Sequence, residues 1–342
     1  MESCFIDEIR DTVDKVKALQ EDGCLCFNII ADSHIAPLRE ESISRLYHTF
    51  ENVKAVNEQA DFHAIFHLGD LVWANKKKET RDYWTTENIE KWMGVFKENL
   101  HAANTNTYFI AGNHDGEYTN EPERPVWYRR MVEYQREKIT GYVKDEPYYY
   151  VDFDKEKVRA ICMMSCYSEG EHTYTGIYKE QVDWLASDAL QAPDGWSILL
   201  FTHVCPLKGF RSTDQDNLEE FAGFMTAFQK KERFDSELFP ADFTNSTTAK
   251  VAAMFVGDGH VDWIAKPGVL PFYVIETGSN LLHCPKRGSS WTMPADCTVA
   301  DRMSGTVTED LWDAVVYNPK KATIDLIRFG AGEDRHIDLQ KG

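Results

Sequence analysis

Five short motifs, rich in aspartate, asparagine, histidine and glycine, are the parts of this sequence best suited to chemistry. Their carboxylate and amide oxygens and imidazole nitrogens are ligand types that suit hard or borderline divalent cations. The chain has no Cys-x-x-Cys pair, so a thiolate zinc site is not expected. The motifs, in chain order, are Asp32-Ser33-His34, Gly69-Asp70, Gly112-Asn113-His114-Asp115, Thr202-His203 and Gly257-Asp258-Gly259-His260-Val261-Asp262. The residue types therefore predict a metal site assembled from distant parts of the chain.

Each motif directly follows a short apolar run that is typical of a buried strand. These runs cover residues 24–31, 62–68, 107–111, 197–202 and 252–256. Helical patterns lie between them, over about residues 39–58, 86–101 and 178–190. Alternation of strands and helices indicates an α/β sandwich. Because ligands of α/β sheets bind in the crevice beyond the carboxyl ends of the strands, we expect the five motifs to converge there.

The order Asp-x-His, Gly-Asp, Gly-Asn-His-Asp, His and Gly-His-x-Asp resembles the calcineurin-like metallophosphoesterases. The resemblance covers about residues 24–280. It implies a four-layer α-β-β-α sandwich with two metal ions between its central strands. It also implies hydrolysis of a phosphate ester, and we expect a small phosphomonoester or phosphodiester as the substrate. The final stretch, from residue 308 to 337, resembles the C-terminal hairpin and tail of bacterial and phage-type members.

The resemblance assigns seven residues to the two metal ions. Asp262 stands where the family usually has a second histidine, and its extra negative charge favours Mn or Fe, with Zn, Ni and Mg as alternatives. The implied ligands are Asp32, His34 and Asp262 for the first metal, Asp70 as the bridge, and Asn113, His203 and His260 for the second.

Two further residues take catalytic roles in this resemblance. Two cations about 3.5–4 Å apart would neutralise charge on the ester and lower the pKa of a bridging water. His114 would donate a proton to the leaving alkoxide, and Asp115 would orient the imidazole. Lys208 and Arg211 follow the His203 motif, and His283 follows an apolar pair. These three are candidate substrate contacts, with ordinary packing as the alternative.

The chain is predicted to form a single domain over residues 1–342 with several additions. Apolar residues at helical spacing predict a leading amphipathic helix over about residues 3–20 instead of a secretory signal. Segments 116–147 and 205–250 fit the strand–helix rhythm poorly and read as insertions, either binding loops or peripheral packing. A C-terminal hairpin is predicted over about residues 308–338.

The composition of the chain disfavours nucleic acids and membranes as partners. The 342 residues carry a net charge of −19, which repels a nucleic-acid backbone, and no apolar stretch is long enough to span a bilayer. Several of the eight cysteines lie in apolar runs, which is typical of buried thiols, and together with the missing signal this favours a reducing cytoplasm. Two alternatives to the phosphoesterase stay open: a catalytically inactive interaction module on the same fold, and a nuclease.

Overall fold

The structure is a computed structural model that describes residues 5–36, 40–73, 85–100, 105–115, 131–144, 146–169, 172–206, 215–280 and 294–341. Its elements alternate between strands and helices, and two large mixed sheets dominate, which confirms the α/β class. The helices are α1 (Ile6–Leu19), α2 (Glu40–Asn57), α3 (Thr86–Leu100), α4 (Lys179–Trp184) and α5 (Leu218–Lys230).

The strands, in chain order, are β1 (Leu25–Ile30), β2 (Ala64–His67), β3 (Asn106–Phe109), β4 (Gly141–Tyr142), β5 (Tyr149–Phe153), β6 (Val158–Cys162), β7 (Cys166–Glu169), β8 (His172–Gly176), β9 (Ser197–Phe201), β10 (Gln215–Asp216), β11 (Arg233–Phe234), β12 (Ala241–Asp242), β13 (Lys250–Val256), β14 (Trp263–Ala265), β15 (Tyr273–Glu276), β16 (Leu311–Asn318), β17 (Thr323–Gly330) and β18 (Arg335–Asp338). The first large sheet has the order β18-β17-β16-β1-β2-β3, and the second has the order β14-β15-β13-β9-β6-β5-β4. In the first sheet β1, β2 and β3 are parallel. In the second sheet β6, β9, β13 and β15 are parallel. Each sheet therefore directs several carboxyl ends to one edge, as the sequence predicted.

Alternating residues of the central strands belong to two different cores. In β1, Leu25, Phe27 and Ile29 pack in a cluster shared by both sheets, whereas Cys26 and Ile30 pack with the helices. Phe27 meets Phe201 of β9 across the interface, with ring centroids 5.7 Å apart. This alternation follows from the two-residue period of a strand. It yields helices outside two facing sheets, the expected four-layer arrangement.

The predicted central strands and helices agree with the structure to within about two residues at most ends, as expected for such boundaries. The C-terminal region adds a third strand to the predicted hairpin, and β16 pairs antiparallel with β1. Segment 205–250 contains α5 and the β11–β12 hairpin, and the short strands β4, β7, β8, β10 and β14 were not predicted. In the part of the chain described here, no helix has the length and apolarity needed to cross a membrane.

Candidate metal centre

The loops that follow β1, β2, β3, β9 and β13 meet at one edge of the two sheets. Backbone hydrogen bonds join neighbouring loops, because the amide of His34 donates to the carbonyl of Asp70 at 2.9 Å and that of Gly257 donates to His203 at 2.9 Å. The side chain of Asp32 also links the two sheets, because its Oδ2 accepts from the Asp258 amide at 3.2 Å. Backbone and side-chain hydrogen bonds therefore hold the loops of Asp32, Asp70, His203 and Asp258 together.

The backbone is strained where the candidate ligands lie. Five of them have positive φ values between 44° and 62°, a region that non-glycine residues rarely adopt. The loops also touch closely, because a Cβ placed on Gly112 would lie 2.2 Å from the amide nitrogen of Asp70. Such strain persists only where surrounding contacts hold it, and it concentrates at functional sites. The strained candidates are Asp32, His34, Asp70, Asp258 and His260.

Asp32, His34 and His260 form the first group of potential ligands. The Nε2 atoms of the two imidazoles lie 3.1 Å apart. Oδ1 of Asp32 lies 3.2 Å from Nε2 of His260 and 3.7 Å from Nε2 of His34. This oxygen is buried and has no hydrogen-bond partner among the described residues. One carboxylate oxygen and two imidazole nitrogens thus lie close enough together to hold one metal ion.

His203 is the centre of the second group. Its Nδ1 donates to the carbonyl of Leu68 at 2.7 Å, so the lone pair of the neutral imidazole lies on Nε2, which faces the crevice. Nε2 lies 3.2 Å from Oδ1 of Asn113 and 3.7 Å from Oδ1 of Asp258. The group therefore combines amide oxygen, carboxylate oxygen and imidazole nitrogen.

Asp70 lies between the two groups. Its Oδ2 is 3.5 Å from Nε2 of His34, and its Oδ1 is 3.3 Å from Nε2 of His203. Asp70 can share a metal ion with His34 and His114, and also with Asp32 and His203. Its two oxygens thus face opposite halves of the cluster.

The electrostatics of the cluster favour a bound cation. Burial lowers the pKa of His34 well below its ordinary value, so its imidazole is neutral and can act as a ligand. Burial also opposes the charged form of His203, but the charges of Asp70, Asp32 and Asp258 raise its pKa to about 10. Without a metal ion, the carboxylates hold a proton where a cation would otherwise bind.

The donor set fits divalent cations. The described residues contain three overlapping groups of Asp and His whose ligand atoms all lie within 4.8 Å of one another in each group. The oxygen and imidazole donors suit Mn, Fe, Zn and related ions. The structure therefore contains a candidate metal-binding site in the crevice predicted from the motifs.

His114 and Asp115 have different surroundings. His114 is half-buried at the edge of the cluster, its amide donates to Oδ1 of Asp70 at 2.7 Å, and its ring centroid is 5.1 Å from that of His34. Asp115 is fully buried, and its two oxygens accept from the amides of Val72 at 3.1 Å and Gly112 at 2.8 Å. Burial and the charge of Asp70 raise the pKa of Asp115 to about 7. We interpret Asp115 as a link between two loops, in place of the expected partner that orients His114.

Asp262 differs from the expectation that it binds the first metal. Its Oδ1 accepts from Arg328 at 2.6 Å and Arg335 at 2.7 Å, and its Oδ2 accepts from Arg328 at 3.1 Å. Neither Asp262 nor Asp258 belongs to the three groups of potential ligands in the described part of the chain, and the two differ in their neighbours. Two guanidinium groups already satisfy the charge of Asp262, so its carboxylate is directed into an ion-pair network.

Asp258, which the motifs did not assign to a metal ion, also lies at the cluster. The sequence alone predicts the family's motif on Gly259-His260-Val261-Asp262, whereas the geometry favours Gly257-Asp258-Gly259-His260, two residues earlier. Asp258 then lies against His203, and His260 joins Asp32 and His34 instead of the second group. Both placements of the motif begin with a glycine, Gly257 or Gly259, so the sequence allows either. Asp258 directly after Gly257 is the feature that could have indicated the earlier placement. The candidate substrate contacts Lys208, Arg211 and His283 lie outside the described residues.

The solved structures that resemble this chain share little sequence with it. No curated protein matches the chain. Similar solved structures include the purple acid phosphatase PPD1 from yellow lupin (Lupinus luteus), with 13% identity, a TM-score of 0.47, and coverage of 95% of this chain and 57% of that chain. They also include GAP50 of Plasmodium, with 11% identity, a TM-score of 0.46, and coverage of 93% and 86%. A putative 5'-nucleotidase from Staphylococcus aureus has 11% identity, a TM-score of 0.43, and coverage of 92% and 54%. This chain thus spans little more than half the length of the lupin and staphylococcal proteins.

The family assignment rests on the sequence profile of the family. The profile described as "Calcineurin-like phosphoesterase" matches residues 27–239, which is more than half of the chain. The matched region contains four of the five motifs, from Asp32 to His203. The chain therefore belongs to the calcineurin-like phosphoesterase family.

Proposed function

We propose that this chain hydrolyses a small phosphomonoester or phosphodiester with the help of two divalent cations. The observation that carries the proposal is the position of Asp70, whose two oxygens face His34 on one side and His203 on the other. A carboxylate placed in this way suits a bridge between two ions. We also propose that the whole chain acts as one domain in the cytoplasm.

The proposed ligands divide around Asp70. Asp32, His34 and His260 would hold the first ion, and Asn113, His203 and Asp258 would hold the second. Two cations would neutralise charge on the ester and lower the pKa of a water between them. The added carboxylate of Asp258 favours harder ions such as Mn or Fe, with Zn, Ni and Mg as alternatives.

His114 is the proposed proton donor. Its amide bond to Asp70 fixes the backbone beside the cluster, while its half-buried side chain is accessible at the edge. In this position the imidazole would hold a proton near the leaving oxygen of the ester. Asp115 would support it indirectly by joining the loops of Gly112 and Val72.

Replacement of the bridge tests the dinuclear site. Asp70→Asn should weaken metal affinity by more than about 100-fold, because the loss of even an outer partner of a ligand costs about 10–100-fold. Phosphate release from mono- and diesters should be measured across Mn, Fe, Zn, Ni and Mg, with bound metal counted by elemental analysis. Asp22→Asn is the matched control, because Asp22 is 87% exposed and lies in the loop before β1.

The outcomes separate the alternatives. Near two ions per chain with ester turnover supports the proposal, whereas no retained metal with any of the five cations would overturn it. Metal binding without turnover of any ester would favour the inactive interaction module. Cleavage of DNA or RNA in a gel assay, in preference to small esters, would favour the nuclease.

The role of His114 is tested by leaving-group dependence. His114→Asn should retain both ions but lose activity on alkyl phosphates by about 10²–10⁴-fold, the usual contribution of a positioned general acid. Nitrophenyl phosphate should lose less, because nitrophenolate leaves without a proton. Equal losses on both substrates in the metal-loaded variant would contradict the proton-donor role.

A further inference from the structure

The residue between two proposed ligands of the first ion is hydrogen-bonded to a buried histidine. Ser33 is itself buried and lies between Asp32 and His34 in the loop after β1. Its Oγ is 2.8 Å from Nε2 of His67, a fully buried residue at the carboxyl end of β2. Either tautomer of the neutral imidazole can form this bond, since Nε2 accepts from the hydroxyl or its N–H donates to Oγ. A side-chain contact thus connects the ligand loop of β1 to the neighbouring strand.

The imidazole of His67 has mainly aromatic neighbours. Its ring centroid lies 5.1 Å from that of Phe96 in α3 and 6.3 Å from that of Phe109 in β3. Burial lowers the pKa of His67 to about 3, so the ring is neutral. Its Nδ1 is buried and has no hydrogen-bond partner among the described residues. A buried polar atom without a partner costs stability, so packing alone would favour phenylalanine at this position. The bond to Ser33 is what a histidine supplies and a phenylalanine does not.

The loop that contains Ser33 is strained on both sides of this residue. Asp32 has a φ of 53° and His34 a φ of 44°, values that persist only where surrounding contacts hold them. The amides of these two residues donate to the carbonyls of Gly69 at 3.1 Å and Asp70 at 2.9 Å. Those bonds hold the backbone before and after Ser33, and the bond to the imidazole holds the residue between them. Without it, the loop is freer to relax toward ordinary φ values, which would separate the two ligand atoms.

We propose that Ser33 and His67 are positioning residues for the first metal ion, and that their hydrogen bond holds Asp32 and His34 in the geometry that binds it. This inference rests on the proposed metal binding at the cluster. Partners that orient metal ligands without touching the ion typically change metal affinity by about 10–100-fold. The effect is selective, because the proposed ligands of the second ion lie on other loops.

Removal of both partners separates positioning from stability. Ser33→Ala combined with His67→Phe deletes the hydroxyl and both ring nitrogens but keeps an aromatic ring beside Phe96 and Phe109. Stability changes little when both partners of a buried hydrogen bond become apolar groups of similar shape. The midpoint of urea denaturation should therefore stay near that of the wild type. The affinity for the first Mn ion should fall by about 10–100-fold, as measured by calorimetric titration.

The titration must identify which ion is weakened. Asp258→Asn removes the charge of a proposed ligand of the second ion, so it marks the binding event of that ion. The double variant should weaken the other event more strongly. Elemental analysis after gel filtration should then approach one Mn per chain for the double variant and two for the wild type.

A conservative variant tests the hydrogen bond itself. His67→Gln retains a polar group that can bond to the Ser33 hydroxyl, whereas His67→Phe retains only the ring. His67→Gln should therefore bind the first ion at least about tenfold more tightly than His67→Phe, the lower range for such a partner. Equal affinities of the two variants would contradict the role of the hydrogen bond.

Thr105→Val is the matched control. It removes another buried hydroxyl, which donates to the carbonyl of Phe62 at 3.4 Å. Both residues precede β2 and β3, at the end of these strands opposite the cluster. This variant should bind both ions as the wild type does.

The outcomes distinguish this inference from the proposed function. If the wild type retains none of the five cations, the proposed function fails. If the wild type binds two ions and the double variant binds them with the same affinities, Ser33 and His67 only pack, and the inference is wrong while the proposed function stands. An equal loss of both ions together with a lower urea midpoint would show a general loss of structure and would also overturn it.

Discussion

Two buried groups of carboxylates lie close together in this protein, and they differ in what neutralises them. In the candidate metal centre, the ion pairs of Asp32 and Asp70 within the described chain are with histidines. In the neighbouring network, Asp262 and Asp313 meet two arginines, Arg328 and Arg335. A neutral imidazole offers a lone pair to a cation, whereas a guanidinium has none to offer. The partner of a carboxylate therefore decides whether it can bind a metal ion.

The arginine network is internally balanced. Two aspartates face two arginines, and the side chain of Arg328 is 1% exposed. Arg328 holds Asp313 through Nε at 2.9 Å and Asp262 through Nη2 at 2.6 Å, and Thr277 donates to Asp313 at 2.7 Å. Burial disfavours the charge of Asp313, but the two arginines lower its pKa well below the ordinary value. This network joins the C-terminal strands to the loops beside β15 without an ion.

The largest expected effect on stability comes from removing one arginine of this network. Arg328→Met should reduce the free energy of unfolding by about 3–5 kcal/mol, because it leaves two buried carboxylates short of a partner. Urea denaturation checks the value. Lys179→Met is the control, since it removes the cation of an exposed pair with Asp183 and should cost no more than about 1 kcal/mol.

The metal affinity of Arg328→Met shows whether the arginine network and the candidate metal centre act independently. If the arginine network is structural, folded Arg328→Met protein should still bind two ions per chain. Loss of metal at denaturant concentrations where the variant remains folded would show that the two carboxylate groups are one functional unit.

The next effect separates two aspartates that are four residues apart. Asp258→Asn should weaken the second ion by about 10–100-fold, since a carbonyl oxygen replaces a charged ligand. Asp262→Asn should retain both ions and lose stability instead. Calorimetric titration with Mn measures both affinities. If Asp262→Asn loses metal affinity and Asp258→Asn does not, the family's motif ends at Asp262 and the proposed role of Asp258 is wrong.

The smallest effect is the pH dependence of the arginine network. The pKa of Asp313 is lower in the folded chain than in the unfolded chain, so its contribution is fully present above the unfolded pKa of about 3.9 and declines as the pH falls through the folded-state pKa. Between pH 5 and pH 3, only the unfolded state would bind a proton at Asp313, which lowers the free energy of unfolding by about 1 kcal/mol. Asp313→Asn should therefore lose less stability than the wild type over this range, as measured by urea denaturation. Parallel curves for the two proteins would show that Asp313 does not titrate on unfolding.

The sequence alone determined the elements that surround the site. Apolar runs before Asp32, Asp70, Asn113 and His203 predicted buried strands, and the structure contains β1, β2, β3 and β9 at these places. The length of these runs is sufficient for this purpose, because four to eight apolar residues bounded by turn residues suit a buried strand and are too few for a buried helix. The match to the family profile confirms the family that the order of the motifs indicated. The individual metal ligands stay predictions.

Only the tertiary structure decided which aspartate after β13 faces the cluster. Asp258 and Asp262 flank the same His260 and are chemically identical, so local sequence cannot distinguish them. The difference comes from Arg328, which lies 66 positions beyond Asp262 in the chain and reaches it only because β17 joins the first sheet. The carboxylate of Asp262 therefore lies against a guanidinium, which has no lone pair to offer a metal ion, whereas the carboxylate of Asp258 lies beside the imidazole of His203.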